Sequence, residues 1–221
     1  MNNINIQPVS GNVGVEIQGV DLTKKVPDSL FEEIKKAFIE NGLIFFRDQN
    51  LTPEDHIRFA EQWGKININR FFTKVEGYDQ IAEVRKEPDQ KGNIGGEWHT
   101  DHSYDQVPAL GSILLAKEIP STGGDTLFAS LSAAFSDLDK KMQDKLLGLN
   151  AIHSFEHGFK ESLAEEGGRE RLAGALKENP PISHPVVKIH PITNKKILYV
   201  NRLFTSHIEG MDVSESDELL E

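Results

Sequence analysis

The spacing of apolar residues predicts two strands and two helices in the first part of the chain. Residues 13–17 alternate between apolar and polar side chains, which is typical of a strand. Apolar residues recur at helical spacing across residues 30–39, and Gly42 is expected to end that helix. The short apolar run at residues 43–46 predicts a buried strand. A second helix, which continues to Gly64, is expected to begin behind the N-cap residue Thr52.

Farther along the chain, the pattern predicts further strands, one long helical segment and a lid. Residues 131–149 have a helical pattern, with a break expected at residues 137–139. Residues 156–180 are polar and contain Gly and Pro breakers, so we expect a mobile insertion or lid there. Strands are predicted at residues 80–85, 151–155, 184–190 and 197–200, of which the last two form a hairpin. Strands with segregated helices indicate a mixed α+β fold, mainly β, in which an antiparallel sandwich carries helices on one side.

Composition and charge narrow the class of protein. The chain has 221 residues, which suits a single domain over residues 1–221. Its 38% of hydrophobic and 27% of charged residues are ordinary for a soluble globular protein. The formal net charge of −11 argues against a nucleic acid or an anionic membrane surface as the partner. A local cluster of basic residues can still bind a small anion.

Several classes of site and location are excluded by what the sequence lacks. The chain has no Cys, which excludes disulfides, a thiolate nucleophile and Cys-ligated metal sites. The first residues contain neither the basic nor the apolar region of a secretory signal. No apolar run approaches the length of a membrane span. We therefore expect a cytoplasmic protein.

The most informative motif of the chain is His99-Thr100-Asp101. On an extended strand, side chains two residues apart point to the same face, so His99 and Asp101 can converge on one metal ion while Thr100 points away. An imidazole nitrogen beside a carboxylate oxygen supplies two of the three protein ligands of a non-heme Fe(II) facial triad. The third ligand should be another His from a distant strand.

Two other interpretations of this motif stay open at the level of the residues. The pair can be a hydrogen-bonded His–Asp pair without a metal. Residues 97–102 also resemble a degraded His-x-His-x-Asp-His site of zinc hydrolases, with Glu97 in place of the first His. His102 would point to the opposite face of the strand from Asp101, which favours a supporting or surface role. None of the more distant histidines has the spacing of a ligand: His153, His157, His184, His190 and His207.

The surroundings of the motif resemble a known family. Residues 98–129, WHTDHSYDQVPALGSILLAKEIPSTGGDTLFA, look like the signature region of the taurine dioxygenase (TauD/TfdA) family of Fe(II)- and 2-oxoglutarate-dependent oxygenases. VGVEIQGVDL at residues 13–22 and GLIFFRDQNLTPEDHIRFAEQWG at residues 42–64 also resemble that family, as does HPVVKIHPITNKKILYVNRLFTSHIEGM at residues 184–211. The resemblance therefore extends along nearly the whole chain.

The resemblance implies a fold, a site and an activity. The fold would be the double-stranded β-helix (jelly-roll) with flanking helices. His99 and Asp101 would be the iron ligands, and Thr126 matches the position whose hydroxyl contacts a carboxylate of 2-oxoglutarate. For Thr126 the alternative is an ordinary β-branched strand residue beside a Gly-Gly turn. The implied reaction consumes O₂ and 2-oxoglutarate, hydroxylates an aliphatic carbon of a small substrate, and releases succinate and CO₂.

Two positions depart from the pattern of taurine-specific relatives. Those relatives have His at the position of Arg70 and Asn at the position of Gly95, so taurine itself is disfavoured as the substrate. Arg70 is expected to bind an anionic group such as a sulfonate, sulfate or carboxylate. The alternative for Arg70 is a solvated surface side chain.

The last residues predict that the chain is cut within a helix. A helix begins near Ser214, yet the sequence stops at Glu221 without a C-cap glycine or a basic last turn. The resemblance would place the remaining jelly-roll strands, the third iron ligand and the 2-oxoglutarate-binding Arg beyond this point. Two protein ligands alone would hold iron weakly, so a catalytically incomplete fragment is the alternative to an active enzyme. A sandwich without those strands would expose an edge, which predicts a homo-oligomer.

Overall fold

The computed structural model describes residues 4–11, 13–69, 72–90 and 95–221. The helices are α1 Asp28–Asn41, α2 Pro53–Trp63, α3 Leu131–Asp137, α4 Lys140–Leu146, α5 Phe155–Gly158, α6 Lys160–Ala164, α7 Gly168–Arg171, α8 Ala173–Glu178 and α9 Val213–Leu220. The strands are β1 Asn5–Ser10, β2 Val13–Gln18, β3 Ile44–Phe45, β4 Thr73–Val75, β5 Tyr78–Glu83, β6 Asn150–His153, β7 Ile182–Pro185, β8 Val187–Ile189, β9 Lys196–Leu198 and β10 Thr205–Ile208.

The chain forms two compact units. One contains Met1–Val84, Ile113–Ala133 and Pro191–Asn194, and the other contains Arg85–Ser112, Ala134–His190 and Lys195–Glu221. Each unit has a sheet of three strands and a hydrophobic cluster of its own. The expectation of one domain over residues 1–221 stays a prediction.

The first unit is built around the sheet β1-β2-β3. Strand β2 pairs antiparallel with β1 and parallel with β3. Helices α1 and α2 contribute an apolar face to the core, where the rings of Phe31 and Trp63 meet edge to face at 5.0 Å. The buried members of this core are Val15, Ile17, Val20, Leu22, Val26, Leu30, Phe31, Ile34, Ala37, Leu51 and Phe59.

The ends of α1 and α2 confirm the boundaries that were predicted from local signals. Gly42 adopts φ 72° and donates its backbone N–H to the Phe38 carbonyl, which ends α1 in the left-handed conformation that glycine allows. Helix α2 begins with a capping box, in which the Thr52 hydroxyl accepts from the backbone N–H of Asp55 and the Asp55 carboxylate accepts from the backbone N–H of Thr52.

The second unit is built around the antiparallel sheet β10-β6-β7 and the hairpin β8-β9. The central strand β6 places Ala151 opposite His184 on one side and opposite Ile208 on the other. Ala151, Val186 and Ile208 are almost completely buried and form the centre of the hydrophobic cluster. The predicted hairpin near residues 184–200 is confirmed in outline, with its paired strands at β8 and β9.

The prediction of a mainly β chain is wrong for the described residues, because helices cover more of them than strands do. Residues 106–130 contain neither a helix nor a strand. Pro108 and Pro120 interrupt this segment, and no described strand pairs with it. Mixed helices and sheets are confirmed.

The segment predicted as a lid is helical. Four short helices, α5 to α8, cover most of residues 155–178. Its mobility stays a prediction. The longest described helix, α1 with 14 residues, is too short to cross a bilayer, and no other described helix meets the length and hydrophobicity that a crossing requires.

One histidine is completely buried in the sheet of the second unit. His153 on β6 is 0% exposed. Burial lowers the pKa of His153 from its ordinary value of 6.5 to about 4, and the positive charges of His184 and Lys188 act in the same direction. The folded chain therefore holds this imidazole in its neutral form.

We predict a close-packing constraint at Gly158. A Cβ atom added there would meet the ring of the buried Phe204, and the Leu203 carbonyl oxygen would lie 3.1 Å away. The Gly158→Ala substitution should lower the free energy of unfolding by about 1 to 3 kcal/mol, as overpacked sites do. Denaturant titration measures this change.

The matched control for Gly158 is Gly174, which lies in helix α8 and has open space around the position of an added Cβ. Gly174→Ala should be neutral or stabilising by about 0.5 to 1 kcal/mol, because alanine is the better helix former. Equal effects of the two substitutions would show that the ring of Phe204 does not restrict position 158.

We also predict a stability that depends on the protonation of His153. Its folded pKa lies below its unfolded value, so the unfolded chain binds the proton first as the pH falls. The stability from the neutral ring is fully present above about pH 6.5 and decreases down to about pH 4. Between pH 7 and pH 5 the free energy of unfolding should fall by about 2 kcal/mol more in the unsubstituted chain than in His153→Asn. Denaturant titration at the two pH values measures this difference. Equal losses in the two proteins would contradict a buried neutral His153.

Candidate metal centre

The structure brings His99 and Asp101 together. The Nε2 atom of His99 lies 3.1 Å from the Oδ1 atom of Asp101, and their side chains are 25% and 57% exposed. The predicted strand is wrong, because residues 99–100 are irregular and residues 101–104 form a turn. The two side chains therefore converge through a turn and not through the pleat of a strand.

The turn is defined by its backbone hydrogen bonds. The N–H of Ser103 donates to the Thr100 carbonyl at 3.2 Å, and the N–H of Asp105 donates to the His102 carbonyl at 2.9 Å. His102 has φ 54°, in the left-handed region that is uncommon for residues other than glycine. This conformation reverses the chain directly after Asp101 and accounts for the failure of the alternation rule at the motif.

In each of the two side chains, the polar atom that faces away from the other side chain makes a hydrogen bond. The Nδ1 atom of His99 donates to the Glu97 carbonyl at 2.7 Å, and the Oδ2 atom of Asp101 accepts from the Ser112 hydroxyl at 2.6 Å. These bonds leave Nε2 of His99 and Oδ1 of Asp101 facing one another. A carbonyl partner on Nδ1 is the arrangement that commonly orients a metal-binding imidazole and assigns its tautomer.

The facing atoms attract a cation. When the proton of a neutral His99 is on Nδ1, the lone pair of Nε2 faces the carboxylate, and only a proton or a metal ion between them gives a favourable contact. The hydrogen bond to Asp101 raises the pKa of His99. The hydrogen bond from His99 lowers the pKa of Asp101 to about 2, with a further contribution from Ser112. The carboxylate is therefore ionised at all ordinary pH values.

The geometry of the pair fits one edge of a metal coordination sphere. Two bonds of about 2.1 Å at a right angle place the donor atoms about 3.0 Å apart. The observed separation of 3.1 Å agrees with this value. Within residues 4–11, 13–69, 72–90 and 95–221, no group of three or more His, Asp or Glu side chains is arranged to hold a metal ion. The described residues thus supply a fitting pair and not a complete ligand set.

Aromatic rings and a glycine shape the surroundings of His99. The ring of Phe204 meets the His99 ring edge to face at 6.1 Å, and Phe159 lies 6.1 Å from Phe204. Gly95 has φ 68°, and a Cβ atom added there would lie 3.3 Å from Cε1 of His99. The backbone at Gly95 therefore approaches the imidazole closely. Trp98, which follows Glu97 in the motif, is 55% exposed.

The other residues considered for the site are Thr126, Arg70 and His102. Thr126 is exposed, in the segment without helix or strand, and its contact with 2-oxoglutarate stays a prediction. Arg70 lies outside the described residues. His102 is half-buried, lies 3.1 Å from the Asp105 carboxylate through Nδ1 and stacks on Tyr104.

The supporting contacts of the pair were not predicted. The Glu97 carbonyl, the Ser112 hydroxyl and the Phe204 ring all contact His99 or Asp101. A backbone carbonyl has no sequence signal, and Ser112 lies in an apolar run that gives no sign of a contact with Asp101. Phe204 is more than one hundred residues away along the chain from His99.

Comparisons with known proteins show which family this chain resembles. The sequence profile described as "Taurine catabolism dioxygenase TauD, TfdA family" matches residues 5–221. The "Alpha-ketoglutarate-dependent sulfonate dioxygenase" of Saccharomyces cerevisiae is 31% identical over 98% of this chain. The "(S)-phenoxypropionate/alpha-ketoglutarate-dioxygenase" of Sphingobium herbicidovorans is 32% identical over 98% of this chain. The chain spans 54% of the length of the first relative and 76% of the second.

The fold is shared with a solved structure. The crystal structure of a taurine dioxygenase homologue from Burkholderia xenovorans, described as an alpha-ketoglutarate-dependent taurine dioxygenase, superposes with a TM-score of 0.82 and 32% identity. The match covers 99% of this chain and 73% of that one. The profile match over nearly the full sequence and this superposition establish the assignment: the chain belongs to the taurine catabolism dioxygenase TauD, TfdA family.

Proposed function

We propose that this chain provides the metal-binding part of an Fe(II)- and 2-oxoglutarate-dependent dioxygenase. The observation that carries the proposal is the separation of 3.1 Å between Nε2 of His99 and Oδ1 of Asp101, with the outer atom of each side chain held by a hydrogen bond. The two named relatives are both alpha-ketoglutarate-dependent dioxygenases, which supports the same co-substrate here.

The proposed reaction adds one oxygen atom of O₂ to an aliphatic C–H bond and the other to 2-oxoglutarate, which is cleaved to succinate and CO₂. Bound iron would supply the activation of O₂, which protein side chains cannot perform. His99 and Asp101 would hold the metal, and the Glu97 carbonyl and Ser112 hydroxyl would orient them. Thr126 would donate a hydrogen bond to a carboxylate of 2-oxoglutarate.

We propose that the substrate is a small anion that is hydroxylated at an aliphatic carbon. By their names, the two relatives act on sulfonates and on phenoxypropionate, which share an anionic group and a carbon–hydrogen bond next to a heteroatom. Arg70 is our candidate for binding the anionic group. Gly95 leaves the face of His99 free of the side chain that taurine-specific relatives place there, which argues against taurine itself.

The detailed topology of the fold and the oligomeric state are also proposals. We propose a jelly-roll core, which the antiparallel sheet β10-β6-β7 and the hairpin β8-β9 support. Self-association is supported by exposed apolar side chains in the segment without strands, where Val107, Leu114 and Ile119 are 73% to 81% exposed. Sedimentation as a monomer would contradict self-association. Cytoplasmic localisation stays a prediction.

A second candidate is a catalytically incomplete binding module. It is favoured by one observation, namely that the described residues supply only two of the expected three protein ligands. The zinc hydrolase interpretation has no such support, since the group of Glu97 that contacts His99 is its backbone carbonyl. The side chain of Glu97 is not needed for that contact.

We predict a visible charge-transfer band when Fe(II) and then 2-oxoglutarate are added without oxygen. His99→Ala and Asp101→Ala should each abolish the band, because removing a ligand weakens iron binding by about 100-fold or more. Absorption spectroscopy at increasing iron concentration measures this loss. A matched control is His56→Ala, which removes an imidazole that donates to the Ile113 carbonyl.

The band also separates the two candidates. A band in the unsubstituted chain and in His56→Ala, but not in the two ligand variants, supports the dioxygenase. The incomplete module would give no band at micromolar iron concentrations, since two protein ligands bind iron weakly. An equal band in His99→Ala would contradict both the assigned ligand and the mechanism built on it.

We further predict a preference for anions in succinate formation. An alkyl sulfonate, an alkyl sulfate ester and a phenoxypropionate should each be turned over with a kcat/KM at least about tenfold above that of neutral alcohols with the same carbon skeleton, equivalent to about 1.4 kcal/mol. Arg70→Gln should remove most of this preference. Arg47→Gln is the control, because Arg47 is 65% exposed and pairs with Glu16. The same preference in Arg70→Gln would contradict a role for Arg70.

A further inference from the structure

The turn that carries the metal-binding pair has a single fully buried polar anchor. Ser103 follows Asp101 by two residues and is 0% exposed, whereas the side chains of His99 and Asp101 are partly exposed. The Ser103 N–H closes the turn on the Thr100 carbonyl. The position of the Asp101 backbone is therefore set by the place where Ser103 is fixed.

The Ser103 hydroxyl links the turn to two distant parts of the second unit. It lies 3.0 Å from Nδ1 of His153 on the central strand β6, and it accepts from Nδ2 of Asn201 at 3.0 Å. Since the oxygen accepts from Asn201, its own proton is available for the lone pair of Nδ1. Burial keeps His153 neutral, and the neutral tautomer with its proton on Nε2 carries the lone pair on Nδ1.

Asn201 is itself held rigidly. Its Oδ1 accepts from the N–H of Phe204 at 2.9 Å, and its N–H donates to the hydroxyl of Thr205 at 3.0 Å. Thr205 begins strand β10 and pairs with His153 across the sheet. The two partners of Ser103 therefore belong to one hydrogen-bonded framework, and the serine joins the turn to that framework.

The neighbouring residues of the turn reinforce this attachment. The Tyr104 ring is buried and packs edge to face on Phe155 at 5.5 Å and on Phe204 at 4.8 Å. At the end of the turn, Nε2 of His184 donates to the Asp105 carbonyl at 3.1 Å. The buried side of the turn is thus fixed by the sheet, while its other side presents the metal-binding pair.

We propose that Ser103, His153 and Asn201 are positioning residues that hold the His99–Asp101 turn in the geometry that binds a divalent metal ion. The inference rests on the proposed function. None of the three residues touches the proposed metal ion. Their effect is to fix the turn before the metal arrives, so that binding does not have to order it.

The alternative is that these residues only stabilise the core. A matched control distinguishes the two roles, because Ser216 is also 0% exposed and its hydroxyl accepts from the Ile208 N–H at 2.8 Å. Ser103→Ala and Ser216→Ala each remove one buried hydroxyl from the same unit. Only the first hydroxyl is attached to the metal-binding turn.

The experiment measures the dissociation constant of Mn(II) for the chain in the presence of 2-oxoglutarate, by the electron paramagnetic resonance of free Mn(II). Ser103→Ala should raise this constant about tenfold or more, and Ser216→Ala should change it by less than about twofold. The spectrum of bound Mn(II) should broaden in Ser103→Ala, because the ligands sample several arrangements.

A second pair of variants tests the other partner of the serine. His153→Leu removes the acceptor and should weaken Mn(II) binding about tenfold, while His153→Asn keeps a polar atom near the position of Nδ1 and should restore affinity to within about threefold. This pair decides the question where Ser103→Ala does not fold. Circular dichroism of each variant establishes that it is folded before metal is added.

Two results would overturn the inference. One is the same Mn(II) affinity in Ser103→Ala as in the unsubstituted chain, or the same affinity in His153→Leu as in His153→Asn. The other is an equal loss in Ser103→Ala and Ser216→Ala, which would show general destabilisation. Failure of the proposed function is distinguishable, since His99→Ala would then bind Mn(II) as tightly as the unsubstituted chain.

Discussion

The central constraint in this structure is that two acceptor atoms face one another across 3.1 Å. The Nδ1 atom of His99 donates to the Glu97 carbonyl, and the Ser112 hydroxyl donates to the outer oxygen of Asp101. An unprotonated imidazole nitrogen and a carboxylate oxygen repel one another at that distance unless a positive charge lies between them. A proton on Nε2 and a metal ion would each meet this electrostatic demand.

The facing pair is partly exposed, whereas the residues that support its turn are buried. A metal ion bound as proposed would reach Nε2 and Oδ1 from solvent. Ser103 and Tyr104, which follow Asp101 by two and three residues, are buried. A turn with one buried and one accessible side would hold the proposed ligands in place and leave the proposed metal site open.

The sequence predicted the parts of the molecule whose determinants are local. Helix α2 was predicted because its cap, Thr52, lies next to the helix, and α1 because Gly42 ends it. The convergence of His99 and Asp101 was also predicted, but from strand alternation that the turn does not have. The bonds from Ser103 to His153 and Asn201 join residues 50 and 98 positions apart, and no local pattern encodes such pairings. Residues 106–130 contain an apolar run, but a strand also requires a neighbour to pair with, and no described strand pairs with this segment.

The shape of the site depends on two positions at which glycine, with no side chain, leaves room for a neighbouring group. Gly158 leaves the space that the Phe204 ring fills, and Phe204 in turn packs against both Tyr104 and the His99 ring. Gly95 allows the backbone to approach Cε1 of His99, where any larger residue would press on the imidazole. A side chain at position 158 would thus affect His99 through the Phe204 ring, whereas a side chain at position 95 would contact His99 directly. The proposed substrate choice would therefore depend partly on the room around His99, and Asn at position 95 would present a different surface to the proposed metal-binding pair.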